Sequence, residues 1–168
     1  MRLQVWQWPR NWQQQIQKHK MSNWDIYVRE SYELVRRAEC ELTINLSENL
    51  EAYIVHLFAH YLDKPNVNTV PVGIKLLSAA NLPVKAKKEL LKNVGDECLL
   101  INSMEWGKYR WPTEVYYSDM GQMAYVSRAY AERPPEDLYD DLAYEFQTAT
   151  RILRKCRITN SVNLTSLI

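Results

Sequence analysis

The scarcity of glycine is the feature that most constrains this chain, which has 4 glycines among 168 residues. A chain of average composition would carry ~7%, or about 12. Glycine supplies the positive φ angles of tight turns and lets a backbone approach a phosphate closely. Four isolated glycines therefore exclude a phosphate-binding loop and a dinucleotide-binding fingerprint. They also argue against a turn-rich β-sandwich or barrel, which leaves mainly long helices joined by short loops.

The length and the cysteines indicate one domain in a reducing compartment. About 150 residues can bury roughly 70% of their unfolded surface, so a single core needs no covalent staple. The three cysteines are an odd number and form no CxxC pair, which argues against a disulfide framework or a zinc ribbon. The longest strongly apolar stretch, 52–62, is shorter than the ~20 residues of a spanning helix. With no apolar signal region at the start, we expect a cytoplasmic protein, although secretion by a signal-independent route stays open.

Helical periodicity recurs along the chain between caps and prolines. The expected helices begin near Asn11 and then cover 23–39, 47–63, 71–80, 83–103, 113–133 and 135–157, with Ser22 or Asn23, Ser47 and Thr113 as caps. The last segment is the clearest, because its apolar residues recur at spacings of 4, 4, 3, 4 and 3. Its acids come first and its bases last, which complements the helix macrodipole.

The segments outside these helices complete the predicted architecture. Residues 1–10 lack a clear period and suggest an irregular arm, whereas 41–46 alternate as an extended connector. Residues 158–168 are an uncharged tail, either a disordered end or an added strand or docking segment. We therefore predict an all-α, single-domain bundle of six to seven helices with an irregular N-terminal arm.

Two histidines and an aspartate suggest a metal site. His56 and His60 lie about 40° apart on one helix face, and Asp63 joins the same stripe one turn later. Histidines at i and i+4 can chelate a transition metal, and a carboxylate can add a third ligand. No HExxH or Glu-x-x-His motif accompanies them. The alternative is that this face, opposite Leu50 and Ile54, is only the more solvent-exposed side of the helix.

Gly95 and Asp96 suggest a second site. A glycine inside a helix costs ~1 kcal/mol relative to alanine, so it usually has a packing reason. The purely structural interpretation is a close crossing of two helices at which Asp96 pairs locally, with Gly121 on the opposite helix. The alternative is a ligand-binding site in which Asp96 faces Tyr116 or Tyr117. Tyr53, which flanks the histidine stripe, completes this candidate set.

The six tryptophans fall into two groups. Trp6, Trp8 and Trp12 lie near the start with Trp24, and Trp106 and Trp111 lie in a loop with Lys108 and Arg110. Large rings usually fill a core, but such groups can also anchor a protein interface, stack on bases or touch a lipid surface. The net charge of +1 provides no global field for nucleic acid. We therefore predict a protein interface at Trp6, Trp8, Trp12, Trp106 and Trp111.

Three segments resemble an uncharacterised family of small bacterial all-α proteins. They are SENLEAYIVHLFAHYL, KELLKNVGDECLLINSM and TEVYYSDMGQMAYVSRAY. The family carries an LEAYLV helix, a GD followed by an apolar run and a YY..MG..AY segment, which fall here on 50–55, 95–101 and 116–125. The likeness covers about 45–146. The loop EWGKYRWP departs from the basic, Phe-containing stretch expected there. The resemblance implies a bacterial helical protein and adds no activity.

These observations favour a non-enzymatic interaction or regulatory protein without a cofactor. A protein partner is expected, nucleic acid and a membrane span are not, and a homodimer stays open. The alternative is a helical enzyme that binds a metal or a small molecule through His56, His60 and Asp63. No nucleophile motif such as GxSxG is present.

Overall fold

The computed structural model describes residues 22–64, 71–104, 110–131, 135 and 137–165, without the side chains of 110–113 and 161–165. The described residues form seven helices and no strand, which confirms the all-α bundle. The helices are α1 (Asn23–Leu42), α2 (Glu48–Asp63), α3 (Val72–Ala79), α4 (Val84–Asn102), α5 (Arg110–Ala129), α6 (Asp137–Tyr144) and α7 (Phe146–Thr165). None of the helices within these ranges combines the length and the apolarity needed to cross a bilayer.

Caps define the first two helices as predicted. The Ser22 hydroxyl accepts a hydrogen bond from the Asp25 N–H, and the Asp25 carboxylate accepts one from the Ser22 N–H, which forms a capping box. The Ser47 hydroxyl caps α2 by accepting from the Leu50 N–H. Between these helices, the buried carboxylate of Glu39 accepts from the Leu46 N–H at 2.8 Å. The predicted connector 41–46 is therefore shorter, since α1 continues to Leu42.

The predicted start of α5 is wrong. The helix begins at Arg110 rather than after a cap at Thr113, so 110–112 are not part of the loop. The proline at 112 obscured this start in the sequence. However, a proline is tolerated in a first helical turn, because the N–H it lacks would have no helical partner there.

The predicted single helix over 135–157 is also wrong, because it is divided into α6 and α7 at Glu145. The helical hydrogen bonds continue across the division, from the Glu145 N–H to the Asp141 carbonyl and from the Ala149 N–H to the Glu145 carbonyl. The division is thus a one-residue interruption that leaves the apolar spacing intact. Furthermore, α7 extends to Thr165, so most of the predicted tail is helical.

Two glycines let α4, α5 and α7 approach closely, as the sequence predicted for Gly95 and Gly121. A Cβ atom on Gly95 would lie 2.4 Å from Cε1 of Tyr125, a ring that is fully buried. A Cβ atom on Gly121 would lie 2.5 Å from Cε2 of Phe146 and 2.8 Å from Cβ of Cys98. Aromatic rings therefore occupy the space that glycine leaves open, and they form the centre of the core.

Two arginines of α7 close the end of α4. Arg154 donates to the Asn102 carbonyl at 2.9 Å, and Arg157 donates to the Leu100 carbonyl at 3.3 Å. Arg157 also donates to the Tyr61 hydroxyl at 2.8 Å. The last carbonyls of a helix lack helical partners and carry partial negative charge. The two guanidinium groups therefore stabilise the end of α4 and join it to α2.

Candidate functional site

Asp96 lies at the centre of a polar cluster that joins three helices. Its Oδ1 atom accepts hydrogen bonds from the hydroxyls of Tyr53 at 2.6 Å and Tyr125 at 2.8 Å. Its Oδ2 atom accepts one from Lys92 Nζ at 2.8 Å. Tyr53 comes from α2, Tyr125 from α5, and Lys92 lies one turn before Asp96 on α4. We call Tyr53, Lys92, Asp96, Tyr125 and Tyr139 the Asp96 cluster.

Aromatic rings seal the cluster on its α6 side. The buried ring of Tyr139 packs edge-on against Tyr53 and tilted against Tyr125, with centroids 6.1 and 6.2 Å apart. The guanidinium of Arg128 lies over the Tyr139 ring, 4.4 Å from its centroid. Edge-on and tilted ring pairs are favourable arrangements, and the cation–π contact stabilises the charge of the Arg128 guanidinium. Asp96 and its two tyrosine partners are thus held by groups of four helices.

The surroundings of the cluster favour the protonated tyrosines and the charged lysine. Burial raises the pKa of the Tyr53 hydroxyl, and the charge of Asp96 raises it further. The same two causes raise the pKa of Tyr125 well above its ordinary value. Burial opposes the charge of Lys92, but the Asp96 carboxylate outweighs that effect and raises the pKa of the ammonium group. The hydroxyls are therefore hydrogen-bond donors rather than proton carriers near neutral pH.

The Asp96 cluster brings together two of the four predicted ligand-binding residues, Tyr53 and Asp96. Tyr125, which the sequence analysis did not assign to this site, supplies the hydroxyl from α5. Tyr116 and Tyr117 lie about two turns earlier on that helix, where their rings contact each other at 5.2 Å. The Tyr116 hydroxyl is directed towards Gly73 of α3.

One spacing in the sequence does place Tyr125 at this site. Tyr125 follows Gly121 by four residues, so both lie on the same face of α5. A large ring on the face that carries a helical glycine is a natural partner for a second glycine across the crossing, here Gly95. The face that carries Gly121, extended by one turn, is therefore the signal that points to Tyr125.

The predicted metal-binding residues lie on the exposed side of α2. His56 and His60 are exposed, and both contact the ring of Trp24 of α1, with centroids 6.3 and 6.2 Å away. Asp63 is exposed at the end of the helix. Within the described ranges, no group of three or more His, Cys, Asp or Glu side chains is arranged to hold a metal ion. The contacts of the two histidines are therefore aromatic, and the metal site stays a prediction.

Most residues of the predicted tryptophan interface lie outside the described part of the chain. Trp6, Trp8, Trp12 and Trp106 lie outside the described residues, and for Trp111 only the backbone, within α5, is described. Trp24 packs against the two histidines of α2 and remains partly exposed. The interface assigned to the other five tryptophans stays a prediction.

The three cysteines are free thiols. Cys98 and Cys156 are fully buried, and burial raises the pKa of each thiol to about 12. The thiolate is the reactive form of cysteine, so these two side chains are inert near neutral pH. Cys40 is exposed on α1.

A groove that the sequence analysis missed opens between α3, α4 and α5. It has a volume of about 460 Å³. We call it the apolar groove, and its lining consists of Leu76, Ala79, Ala80, Val84, Lys87, Leu91, Met123, Ser127, Tyr130 and Ala131. Among these described residues, Lys87 is the only one with a charged side chain. The groove therefore presents a mostly apolar surface to water.

Large apolar side chains remain exposed in and around the apolar groove. Val84 is 63% exposed, Tyr130 62% and Met123 52%. Beside it on α3, Leu77 is 78% exposed. Single exposed apolar residues are ordinary, but a contiguous group of them around a concave surface is typical of a binding site. Helical periodicity could not reveal this group, because its members come from three helices that meet only in the fold.

Comparisons with protein-family models, with curated proteins and with solved structures find no match to this chain. The resemblance to a small bacterial all-α family therefore stays a prediction, and the function has to be inferred from the site geometry.

Proposed function

We propose that this protein is a non-enzymatic interaction protein that binds an amphipathic helix of a partner protein in the apolar groove. The observation that carries the proposal is the exposure of Val84, Met123 and Tyr130 around a concave surface of about 460 Å³. Water in contact with such a surface is released when an apolar partner covers it, which favours association. Helices commonly bind to other proteins by inserting one apolar face into a groove of this kind.

The composition of the apolar groove supports a helical partner over a small-molecule substrate. Small-molecule sites combine an apolar lining with several polar groups that converge on the ligand and fix its orientation. Here the polar groups among the described lining side chains are the ammonium of Lys87 and the hydroxyls of Ser127 and Tyr130. The apolar part of the lining is spread over three helices, which suits the long stripe of a helix better than a compact ligand.

The Asp96 cluster supports the same choice. Its carboxylate oxygens already accept three hydrogen bonds from Tyr53, Tyr125 and Lys92. Tyr53 and Tyr125 already occupy Oδ1, and Asp96 is only 9% exposed, so a ligand has little access to this carboxylate, and displacing either hydroxyl would leave it without a partner. We therefore assign the cluster to the stability of the bundle and the apolar groove to binding.

The proposal also includes a cellular location, a second contact surface and the question of a homodimer. The free thiols suit a reducing cytoplasm, and the family resemblance over 45–146 suggests a bacterial source. The tryptophans at positions 6, 8, 12, 106 and 111 provide a second predicted contact surface for the partner. A homodimer is the alternative that the sedimentation experiment below distinguishes from a separate partner.

The test uses a designed peptide as the probe. It is an 18-residue, fluorescein-labelled amphipathic helix with leucine along one face and glutamine elsewhere. We expect saturable binding by fluorescence polarisation, weakened at least tenfold by Met123→Glu, which places a charge among the apolar side chains of the groove. NMR shift changes should cluster on α3, α4 and the end of α5.

The matched control is Tyr144→Glu. Tyr144 is 88% exposed on α6, and it is not among the residues that line the apolar groove. The control should bind the peptide as the original chain does, and both variants should keep the helical circular dichroism spectrum. Absence of binding, or binding that Met123→Glu and Tyr144→Glu weaken equally, would overturn the proposal.

A further inference from the structure

The charges beside the apolar groove indicate the chemistry of the partner, an inference that rests on the proposed function. Lys87 lines the groove, and Lys85 is exposed on the first turn of the same helix. Within the described residues, neither side chain has an ion-pair partner. By contrast, Lys75 pairs with Glu97 at 2.6 Å, and Lys155 pairs with Glu41 at 2.6 Å. The lysines beside the groove thus differ from these paired lysines.

The start of α4 adds to the positive charge there. The N-cap of this helix is Pro83, which makes no side-chain hydrogen bond to the helix, and the first turn contains no acidic residue. The first N–H groups of a helix lack helical partners and carry partial positive charge. Lys85 and Lys87 lie in this same region, and their positive charges add to the partial positive charge of the helix start.

The positive charge is confined to one end of the apolar groove. Gly95 of α4 faces Tyr125 of α5, and Cys98 faces Gly121, so the two helices run in opposite directions. The start of α4 therefore lies near the end of α5, beside Tyr130 and Ala131. The exposed carboxylate of Asp119 lies about 12 Å back along α5 from Ser127, towards the other end.

From these charges we infer that the partner is an amphipathic helix with acidic residues at the end that binds beside Lys85 and Lys87. Its apolar face contacts the groove, and its carboxylates face the two ammonium groups and the start of α4. Opposite charges across an interface select the partner, set its direction and speed its association. The apolar contacts provide most of the affinity, and the charges determine which helices bind and in which direction.

The experiment compares matched peptides that share the leucine face of the 18-residue probe. One carries three glutamates at one end, a second carries the same glutamates at the other end, and a third carries three lysines in place of the glutamates. The all-glutamine probe is the neutral reference. We expect one glutamate peptide to bind about fivefold more tightly than the reference, since each exposed ion pair contributes only weakly. The lysine peptide should bind more weakly than the reference.

The double variant Lys85→Gln/Lys87→Gln should remove the advantage of the glutamate peptide while the neutral peptide binds as before. Added salt should reduce the same advantage, because exposed charges are screened. Arg151→Gln is the control, since Arg151 is exposed on α7, which does not line the groove. It should leave all affinities unchanged.

The outcomes separate this inference from the proposed function. Equal binding of all the peptides, still weakened by Met123→Glu, would overturn the acidic partner and leave the groove as the binding site. Failure of every peptide to bind would overturn the proposed function itself. A concentration-dependent dimer in sedimentation, abolished by Met123→Glu, would also overturn the inference and would identify a second copy of this chain as the occupant.

Discussion

The Asp96 cluster and the apolar groove both use α4 and α5, yet they differ in whether their side chains have partners within the chain. In the cluster, a nearly buried carboxylate accepts hydrogen bonds from Tyr53, Lys92 and Tyr125. In the groove, apolar side chains such as Val84 and Met123 remain largely exposed to water. One region places polar groups inside the bundle with partners, and the other leaves apolar groups outside without them.

The difference separates stability from binding. Changes in the cluster disturb buried groups that already have partners, so they should lower the free energy of unfolding. Changes at the exposed groove remove little that is buried within the chain, so they should alter binding with little effect on stability. Substitutions that produce the opposite pattern would break this comparison.

Among the substitutions that compare the cluster with the groove, the largest effect is expected for Gly95→Ala. The added Cβ atom would lie 2.4 Å from the buried ring of Tyr125, which cannot move without disturbing the core. Overpacking of this kind typically costs 1–3 kcal/mol, partly offset by the better helix propensity of alanine. We expect the free energy of unfolding to fall by about 2 kcal/mol, measured by urea denaturation followed by circular dichroism.

Gly73→Ala is the matched control near the groove. Its Cβ atom would lie 3.3 Å from the hydroxyl of Tyr116, a side chain that is 43% exposed and can move. The propensity gain of up to ~1 kcal/mol should then leave this variant as stable as the original chain or more so. Equal losses in the two variants would show that the close contact at Gly95 is not special.

A smaller effect is expected for Tyr125→Phe, which removes one buried hydrogen bond to Asp96. The loss should be about 1 kcal/mol at neutral pH, measured by the same urea denaturation. Tyr130→Phe is the control, because Tyr130 is largely exposed beside the groove and should tolerate the change. A Tyr125→Phe variant as stable as its control would show that this hydroxyl does not stabilise the bundle.

The same hydroxyls predict how stability depends on alkaline pH. The pKa values of Tyr53 and Tyr125 are raised in the folded chain above the ordinary value of 10.0, and an unfolded chain would release these protons more readily. Their contribution is therefore complete below about pH 10 and is lost as the pH rises further. The raised pKa of Lys92 acts in the same direction.

We expect the free energy of unfolding to fall above pH 10, with a smaller fall in the Tyr53→Phe/Tyr125→Phe variant. Urea denaturation at a series of pH values measures the fall, and absorbance at 295 nm follows tyrosine ionisation. A variant with the same alkaline dependence as the original chain would contradict the assignment of this effect to the cluster.

The smallest effect on stability is expected for Leu77→Ser, beside the groove on α3. Leu77 is 78% exposed, so the substitution removes little buried surface. The free energy of unfolding should stay within about 0.5 kcal/mol of the original value. A matched substitution in the core, Leu99→Ser, should destabilise the chain strongly, because Leu99 is fully buried. Strong destabilisation by Leu77→Ser would show that this exposed side chain of α3 contributes to the stability of the bundle.

Local patterns in the sequence predicted most of the fold. Ser22 and Ser47 cap α1 and α2, and the apolar spacings gave the helices their faces. The errors lie where a local rule has two outcomes. A proline either stops a helix or stands in its first turn, as at 112. An apolar stripe also continues unchanged through the interruption at Glu145.

The candidate sites were harder to predict, because they depend on contacts between distant helices. The glycine at position 95 indicated that Asp96 lies at a helix crossing, but the choice among several tyrosines of α5 required the relative position of the two helices. The apolar groove left no local pattern at all. Val84, Met123 and Tyr130 follow ordinary helical positions, and only the packing of three helices leaves them exposed around one concavity.

The contacts of Arg154 and Arg157 have a consequence for the order of folding. During synthesis, α4 emerges from the ribosome before α7, so its last carbonyls meet water first and the two guanidinium groups later. The contact between Arg157 and Tyr61 spans 96 residues, and such distant contacts form late because a long loop must close. Closure of the bundle therefore waits for α7, and nascent chains that stop before Arg154 should remain open to proteases.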